Sequence, residues 1–133
     1  MDSFKISTGK IGVPIERDGE NVGTFYFNPS DILVARKIMD LKKDFEVKEK
    51  EFQKESKKAD TVEKQIALLE EIVNYFRNKI DEVYGQGTSD LLFGEARVLE
   101  MFSGFFDGIN AHYQKASQER IEKAKSKIKK SGK

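Results

Sequence analysis

The spacing of apolar residues divides the chain into a short N-terminal part with strand periodicity and a longer part with helix periodicity. Apolar and polar residues alternate over residues 11–15, and a second apolar run occupies residues 22–27. Between them lies Asp18-Gly19, a dipeptide that favours a tight hairpin because both residues tolerate positive φ. We therefore predict a β-hairpin over residues 11–27.

A long helix is predicted directly after the hairpin. The segment 28–31 (Asn-Pro-Ser-Asp) offers an Asn cap, a Pro at the first helical position and an Asp in the first turn. Apolar residues then recur at steps of four, three, four and seven, which places them on one helix face: Val34, Ile38, Leu41, Phe45 and Phe52. We expect this helix to cover about residues 29–55.

The second helix has the most regular apolar pattern in the chain. Its apolar residues alternate steps of four and three, as in a continuous helix seam: Val62, Ile66, Leu69, Val73, Phe76, Ile80 and Val83. Asp60 and Glu63 are spaced as a capping box at its start. A polar break at residues 56–59 predicts that this helix, about residues 60–84, runs antiparallel to the first.

A third, aromatic-rich helix is predicted over residues 95–116. Gly85 is placed to end the second helix in a left-handed C-cap, and Thr88 or Ser89 to cap a short turn before the third helix. The third helix carries its apolar residues on one face: Leu99, Phe102, Phe105, Phe106, Ile109 and Tyr113. Gly104 and Gly108, four residues apart, suggest close contact with another helix.

The predicted fold class is α+β, mostly α, with one domain over residues 1–116. Residues 117–133 form a basic tail that is helical or frayed. From Lys115 to Lys133 eight basic and two acidic residues give a charge of +6. The whole chain is only +1, so the remainder carries −5. This asymmetry predicts an electrostatic role for the tail, with the candidate residues Arg120, Lys123, Lys127 and Lys130.

The composition indicates a folded chain outside the membrane. Ten phenylalanines exclude the aromatic-poor composition typical of disordered chains. No segment approaches the roughly 18 apolar residues of a membrane span, and the N-terminal residues lack the apolar region of a secretory signal. The absence of cysteine excludes disulfides and thiolate chemistry. We expect a cytoplasmic protein.

Residue patterns typical of catalysis or metal binding do not occur. The single histidine, His112, lies near a helix end without a third group to orient it as a base. The acidic residues alternate with lysines on helix faces, which is typical of a solvated surface. Residues 85–87 (Gly-Gln-Gly) follow a helix and lack the Lys-Ser/Thr of a phosphate loop. We expect no enzyme activity, no metal and no cofactor.

Three segments in a fixed order resemble the C-terminal half of tail assembly chaperones of long-tailed phages and prophages. They are residues 80–89 (Ile-Asp-Glu-Val-Tyr-Gly-Gln-Gly-Thr-Ser), residues 92–94 (Leu-Phe-Gly) and residues 102–109 (Phe-Ser-Gly-Phe-Phe-Asp-Gly-Ile). The opening hairpin followed by a long charged helix is also similar to that family. The Gly-x-Gly-Thr turn followed by Phe-Gly is the most distinctive part of the resemblance.

The resemblance implies a non-catalytic role in the cytoplasm of a bacterial host. Chaperones of this family bind the long, helical tape measure protein, keep its hydrophobic stripes soluble during tail assembly, and form homo-oligomers. A helical client requires a groove or face with apolar anchors. The candidate client-binding residues lie on the third helix: Phe102, Phe105, Phe106 and Ile109. The candidates for self-association by strand pairing lie in the hairpin: Val22, Phe25 and Phe27.

Other functions and another structural interpretation stay open. The basic tail would also suit contacts to nucleic acid phosphates, although no element for reading bases is visible and nucleic acid is not the favoured partner. A helical adaptor in a bacterial host is a third possibility. Aromatic residues at helical spacing are also typical of a protein core, which applies to the phenylalanines of the third helix.

Overall fold

The computed structural model describes residues 2–58 and 61–131, with side chains as far as Ile128. The elements in chain order are β1 (Ile11–Arg17), β2 (Glu20–Phe27), α1 (Ile32–Lys58), α2 (Val62–Tyr84), α3 (Thr88–Phe93) and α4 (Glu100–Ser131). The α+β, mostly helical fold class predicted from the sequence is confirmed.

The hairpin forms around the predicted Asp-Gly turn. Asp18 and Gly19 both have positive φ, 54° and 85°, as a tight turn between twisted strands requires. The strands pair antiparallel, with Ile11 opposite Phe27 and a register irregularity next to Ile15. One face of the hairpin packs on the helices and the other faces outward, where Tyr26 is 62% exposed.

Helix α1 starts later than predicted because Asp31, not Asn28, caps it. The Oδ1 atom of Asp31 accepts hydrogen bonds from the backbone N–H of Leu33 at 3.0 Å and of Val34 at 3.2 Å. Asn28 instead accepts from the N–H of Ser30 and donates to the carbonyl oxygen of Thr8. An Asn-Pro-Ser-Asp segment contains several possible caps, and Asn28 is not the one used because its side chain is engaged with Ser30 and Thr8.

Helix α2 also has a different cap from the predicted one. Thr61 is the N-cap, and its hydroxyl accepts from the N–H of Lys64 at 3.2 Å. Asp60, the predicted cap, lies outside the described residues. At the other end, Gly85 has φ 114° and ψ 156°, which is not the predicted left-handed cap conformation.

Helix α3 is a single short helix held to the end of α2 by a carboxylate. Asp81 accepts two hydrogen bonds from Ser89, one from its N–H at 2.7 Å and one from its hydroxyl at 2.9 Å. The residue at the cap position is Gly87, in the left-handed conformation, and not Thr88 or Ser89 as predicted. The Thr88 hydroxyl donates to the carbonyl oxygen of Gly85.

The core forms where α4 crosses α1 and α2. The ring of Phe45 on α1 lies 5.1 Å from that of Phe76 on α2, and 5.8 Å and 5.6 Å from those of Phe102 and Phe106 on α4. Phe76, Phe102 and Phe106 are at most 1% exposed. Burial of each such side chain contributes roughly 1.5–3 kcal/mol before chain entropy is subtracted.

Helix α4 is displaced along α2. Phe102, near the start of α4, packs against Phe76 in the middle of α2, and the hydroxyls of Tyr113 and Tyr84 hydrogen bond at 2.9 Å near the end of α2. The two helices are therefore parallel, and α4 starts beside the middle of α2. Within residues 2–58 and 61–131, no helix combines the length and apolar character that a membrane span requires.

This displacement leaves two projections. We call residues 46–58 of α1 and 62–72 of α2 the tip, because they extend beyond the start of α4. We call residues 117–131 of α4 the tail, because they extend beyond the end of α2. The tail is helical, which is one of the two alternatives, helical or frayed, that the sequence left open. Helix α4 continues through residue 116, the predicted end of the domain, without a break.

We predict that Phe106→Ala lowers the free energy of unfolding by about 3–5 kcal/mol, because it leaves a cavity among packed rings. Val47→Ala is the control, since Val47 is 54% exposed, and it should change stability by less than about 1 kcal/mol. Chemical denaturation followed by circular dichroism measures both. Equal losses in the two variants would contradict the core described above.

We also predict that the fold loses stability above pH 10. Burial raises the pKa of Tyr84 and of Tyr113 above the ordinary value of 10.0. The folded state therefore holds these protons more tightly than the unfolded chain, so the stabilisation is complete below pH 10 and is lost as the unfolded chain ionises above it. Tyr84→Phe combined with Tyr113→Phe should reduce the fall of the melting temperature between pH 9 and 11.

Tyr26→Phe is the control for this measurement, because the Tyr26 side chain is mostly exposed. It should leave the alkaline fall unchanged. An identical fall in the double variant would mean that the Tyr84–Tyr113 pair does not control the alkaline limit.

Candidate interaction surface

The predicted client-binding residues of α4 belong to the core. Phe102, Phe106 and Ile109 are 0%, 1% and 4% exposed, and Phe105 is half-buried. The ring of Phe105 lies 6.0 Å from Phe93 and 6.4 Å from Phe25, so it joins α4 to α3 and the hairpin. The prediction of a client surface at these positions is wrong for the folded chain, because α4 runs between elements that cover its aromatic face.

The predicted self-association residues of the hairpin are also covered. Phe25 and Phe27 are 4% and 5% exposed, their rings stack at 4.9 Å, and Tyr84 meets Phe25 edge-on. Val22 is half-buried. The sequence identified these side chains as apolar but did not show that the helices of the same chain cover them. The predicted self-association by strand pairing would use the backbone at the hairpin edge, and it stays a prediction.

The predicted electrostatic residues lie on the exposed tail. Arg120 donates to the backbone carbonyl oxygen of Ser30 at 3.0 Å, which ties the tail to the start of α1. Lys123 and Lys127 line the same shallow groove beside Ser30. The side chain of Lys130 lies outside the described residues. All residues from 117 to 128 are exposed.

The tip carries an apolar helix face that α4 does not cover. The predicted seam of α2 is buried from Val73 onward, but Val62 is 70% exposed, Ile66 is 56% exposed and Leu69 is half-buried. These three residues continue the face on which α4 packs, because their spacing of four and three keeps them on one side of the helix. We call Val62, Ile66 and Leu69 the open face.

The opposite side of the tip has a groove between α1 and α2. It has a volume of about 400 Å³, its floor contains Phe52, Leu68 and Ile72, and charged residues rim it: Lys48, Glu51, Glu55 and Glu71. At its inner end the Tyr75 hydroxyl donates to Asp44 at 2.7 Å. This hydrogen bond, with a smaller effect of burial, raises the pKa of Tyr75. The groove places apolar surface on both sides of the tip.

A second cavity lies between the hairpin and α4. It measures about 370 Å³ and is lined mainly by apolar side chains, with Glu16 and His112 as its titratable members. The His112 ring stands edge-on to Phe27 at 5.6 Å, so its position is one of packing. Gly104 and Gly108 line this cavity, and an added Cβ at either would meet no atom within 4 Å. The predicted close helix contact at these glycines is therefore wrong.

Two arginine side chains, one buried and one half-buried, hold α3 and the following loop in place, and the sequence did not predict these contacts. Arg77 on α2 is 6% exposed and donates to the carbonyl oxygens of Gly94 and Ala96 and to Asp90. Arg17 at the end of β1 donates to the carbonyl oxygen of Leu91 at 2.9 Å. Both guanidinium groups therefore satisfy carbonyls at the C-terminal end of α3.

The environment of Arg77 is structural in character. Burial lowers the pKa of its guanidinium most, and the positive charge of Arg97 lowers it further, whereas Asp90 raises it. The single sequence signal for this contact was an arginine within the apolar part of α2. Within the described residues, no group of three or more His, Asp or Glu side chains is placed to hold a metal ion.

We predict that Arg77→Leu destabilises the fold by about 3 kcal/mol or more, because it removes a buried guanidinium together with its hydrogen bonds to the carbonyl oxygens of Gly94 and Ala96. Asp90→Asn should change stability by less than about 1 kcal/mol, since the Asp90 side chain is 81% exposed and Arg77 keeps two carbonyl partners. Thermal unfolding of both variants measures the difference. A larger loss for Asp90→Asn would mean that the ion pair, not the carbonyl contacts, holds the loop.

Comparison with known proteins gives one match. No curated protein and no solved structure shows significant similarity to the chain. The model of a family of unknown function, DUF6673, matches residues 21–132, which include β2 except its first residue, all four described helices and the tail. Since this match covers more than half of the sequence, the chain belongs to the DUF6673 family.

Proposed function

We propose that the protein is a non-catalytic chaperone that binds an amphipathic helix of a client protein on the open face of the tip. The observation that carries this proposal is the exposure of Val62 and Ile66 on the same α2 face that receives α4. An exposed apolar face of this kind on a charge-rich surface is typical of a protein interaction site. Binding through it requires no reacting group.

The shape of the open face favours a helix as the bound element. Farther along α2 the same face holds α4, whose Phe102 lies against Phe76 at 5.8 Å between ring centroids. A client helix in line with α4 would meet Val62, Ile66 and Leu69 at helical spacing, which matches apolar anchors at positions i, i+3 or i+4, and i+7. The client chemistry is thus a helix with one apolar stripe.

The charges around the open face suit a chaperone more than a permanent subunit contact. Glu63 and Glu70 lie three residues before and four residues after Ile66, so they border it on the helix surface. Lys64 lies between them along the chain. A small apolar surface with charged borders can bind the apolar stripe of a client helix. When the client dissociates, the protein then does not expose a large hydrophobic area.

The resemblance to tail assembly chaperones specifies the client in this proposal. The tape measure protein of a long-tailed phage is a long helical chain with hydrophobic stripes, and it would bind in the cytoplasm of the bacterial host before tail assembly. The open face replaces the aromatic face of α4 as the client-binding surface. The candidate residues are Val62, Ile66 and Leu69.

The test is co-expression with a tape measure protein encoded beside this chain. The wild-type protein should keep the client in the soluble fraction and co-purify with it. Ile66→Asp should reduce co-purification at least tenfold, because a charge replaces the central anchor. Val47→Asp is the matched control, since Val47 is exposed in the same tip and lies two residues from buried Phe45, on the other side of α1.

Circular dichroism should show that both variants stay folded, because both positions are exposed. A client that stays equally soluble and bound with Ile66→Asp would refute the open face as the binding site. A client that is insoluble with the wild-type protein would refute the chaperone function itself.

A further inference from the structure

The segment before β1 carries two exposed apolar side chains at the spacing of a strand. Phe4 is 94% exposed and Ile6 is 82% exposed. Polar residues alternate with them: Ser3, Lys5 and Ser7. In an extended chain this alternation places Phe4 and Ile6 on one side and the polar residues on the other. We call residues 2–8 the arm. Its apolar side lies in solvent, which is unfavourable for two side chains of this size.

The cavity between the hairpin and α4 opens along one edge of β1. The sheet formed by the described residues has two strands, so within them β1 has a neighbouring strand on one edge only. Val13 and Ile15 face the helices whereas Pro14 and Glu16 face outward, and all four line the cavity. A cavity that touches residues from both faces of a strand lies at the edge of that strand. The cavity is therefore accessible from the unpaired edge of β1.

Glycines on α4 leave room in this cavity. An added Cβ at Gly104 or Gly108 would meet no atom within 4 Å, and the cavity has a volume of about 370 Å³. Glycine within a helix is unfavourable relative to alanine, so α4 bears a conformational cost at the two positions that keep the cavity open. A cavity of this size with mainly apolar walls is within the range of binding sites in proteins.

A reversal of the chain at Gly9 would bring the arm to this edge. Gly9 has φ 98°, in the region that glycine adopts readily and that suits a change of chain direction. A tight reversal there lays the arm antiparallel beside β1, with Ile6 opposite Val13 and Phe4 opposite Ile15. Residues opposite each other in an antiparallel pair lie on the same face of the sheet. Since Val13 and Ile15 face the helices, Phe4 and Ile6 would enter the cavity.

The outward side of the arm also matches the outward side of β1. In the same alignment Lys5 lies opposite Pro14, so its ammonium group comes within reach of Glu16, the diagonal neighbour on that face. Pro14 has no backbone N–H, and proline in an edge strand has its nitrogen on the unpaired side. The edge therefore offers few donors, so the arm would be held mainly by burial of Phe4 and Ile6 and its attachment would be reversible.

One side-chain contact holds the arm in its open position. The side-chain amide of Asn28 donates to the carbonyl oxygen of Thr8 at 2.7 Å. Asn28 follows β2, so this contact lies on the side of β1 opposite to the cavity. Closure of the arm exchanges this hydrogen bond for apolar burial. Because a single exposed hydrogen bond contributes little net stability, the exchange has a small free energy.

We propose that the arm closes over the cavity as a third strand on the unpaired edge of β1, with Phe4 and Ile6 as the side chains that fill the cavity. The open position is the one described above, and the closed position is a second state of the same chain. In the closed state the arm competes with any apolar segment of another protein for this cavity. The cavity is a different surface from the open face, so the inference does not depend on the proposed function.

A single introduced tryptophan reports the position of the arm, because the chain contains none. Phe4→Trp places the indole on the apolar side of the arm, and Lys5→Trp places it on the outward side, one residue away. In the full-length protein, Phe4→Trp should emit at shorter wavelength than Lys5→Trp and should be quenched severalfold less by acrylamide, because only the first indole enters the cavity. Both readings should be independent of protein concentration, since the contact lies within one chain.

A side chain that fills the cavity from α4 should exclude the arm. Gly104→Leu places a leucine in the cavity, and Gln114→Leu adds the same side chain at an exposed position of α4 outside it. In the Phe4→Trp protein, Gly104→Leu should raise acrylamide quenching to the level of Lys5→Trp, whereas Gln114→Leu should leave quenching unchanged. Both substitutions replace a helix residue by a good helix former, so thermal unfolding should show that both variants stay folded.

Asn28→Asp tests the contact that holds the arm open. It removes the amide that donates to Thr8 and keeps an oxygen that accepts from the N–H of Ser30. In the Phe4→Trp protein it should shift the emission further to shorter wavelength. Asn21→Asp is the matched control, because it adds the same charge to the hairpin and keeps the oxygen that accepts from Gly23. It should leave the emission unchanged.

Any of four outcomes would overturn the inference. Equal quenching of Phe4→Trp and Lys5→Trp would mean that the arm does not enter the cavity. Quenching of Phe4→Trp that does not respond to Gly104→Leu would mean that its indole is covered elsewhere. Protection that rises with protein concentration would assign the cavity to a second copy of the chain. Emission that Asn28→Asp leaves unchanged would exclude the exchange of the Thr8 contact for closure.

Discussion

The packing of α4 against the second half of α2, and not along its whole length, is the constraint on which the rest of the molecule depends. Phe102 and Phe106 meet Phe45 and Phe76 in a group of rings that excludes water. Aromatic rings of this size contribute the largest apolar burial in the chain. Their contacts therefore determine which part of α4 lies beside which part of α2. The tip and the tail are consequences of that displacement.

The displacement is held by polar contacts that lie outside the aromatic group. Asp81 accepts hydrogen bonds from Ser89 at the start of α3, and Arg77 donates to the carbonyl oxygens that follow α3. These contacts bring the chain back from the end of α2 to its middle, over α3 and a short loop, before α4 starts. Loss of the Arg77 donors would leave the carbonyl oxygens of Gly94 and Ala96 without these hydrogen bonds.

One face of α2 serves both stability and binding in the proposed function. Its second half lies in the core, whereas its first half is exposed at Val62 and Ile66. The same spacing of apolar residues therefore produces a packed seam where α4 is present and an exposed apolar face where α4 is absent. In the proposed function, a client helix would extend the three-helix packing along the tip.

The sequence by itself determined the hairpin, the long helices, the antiparallel direction of the first two and the apolar face of each, because turn chemistry, short connections and helical periodicity are local properties. It also indicated the charge asymmetry of the tail. It did not determine which apolar residues are covered. It assigned binding to Phe102, Phe106 and Phe27, which are buried, and it placed Val62 and Ile66, which are exposed, in one continuous helix seam. Only the tertiary structure decided this, because periodicity shows which face of a helix is apolar but not how far along that face its neighbour extends.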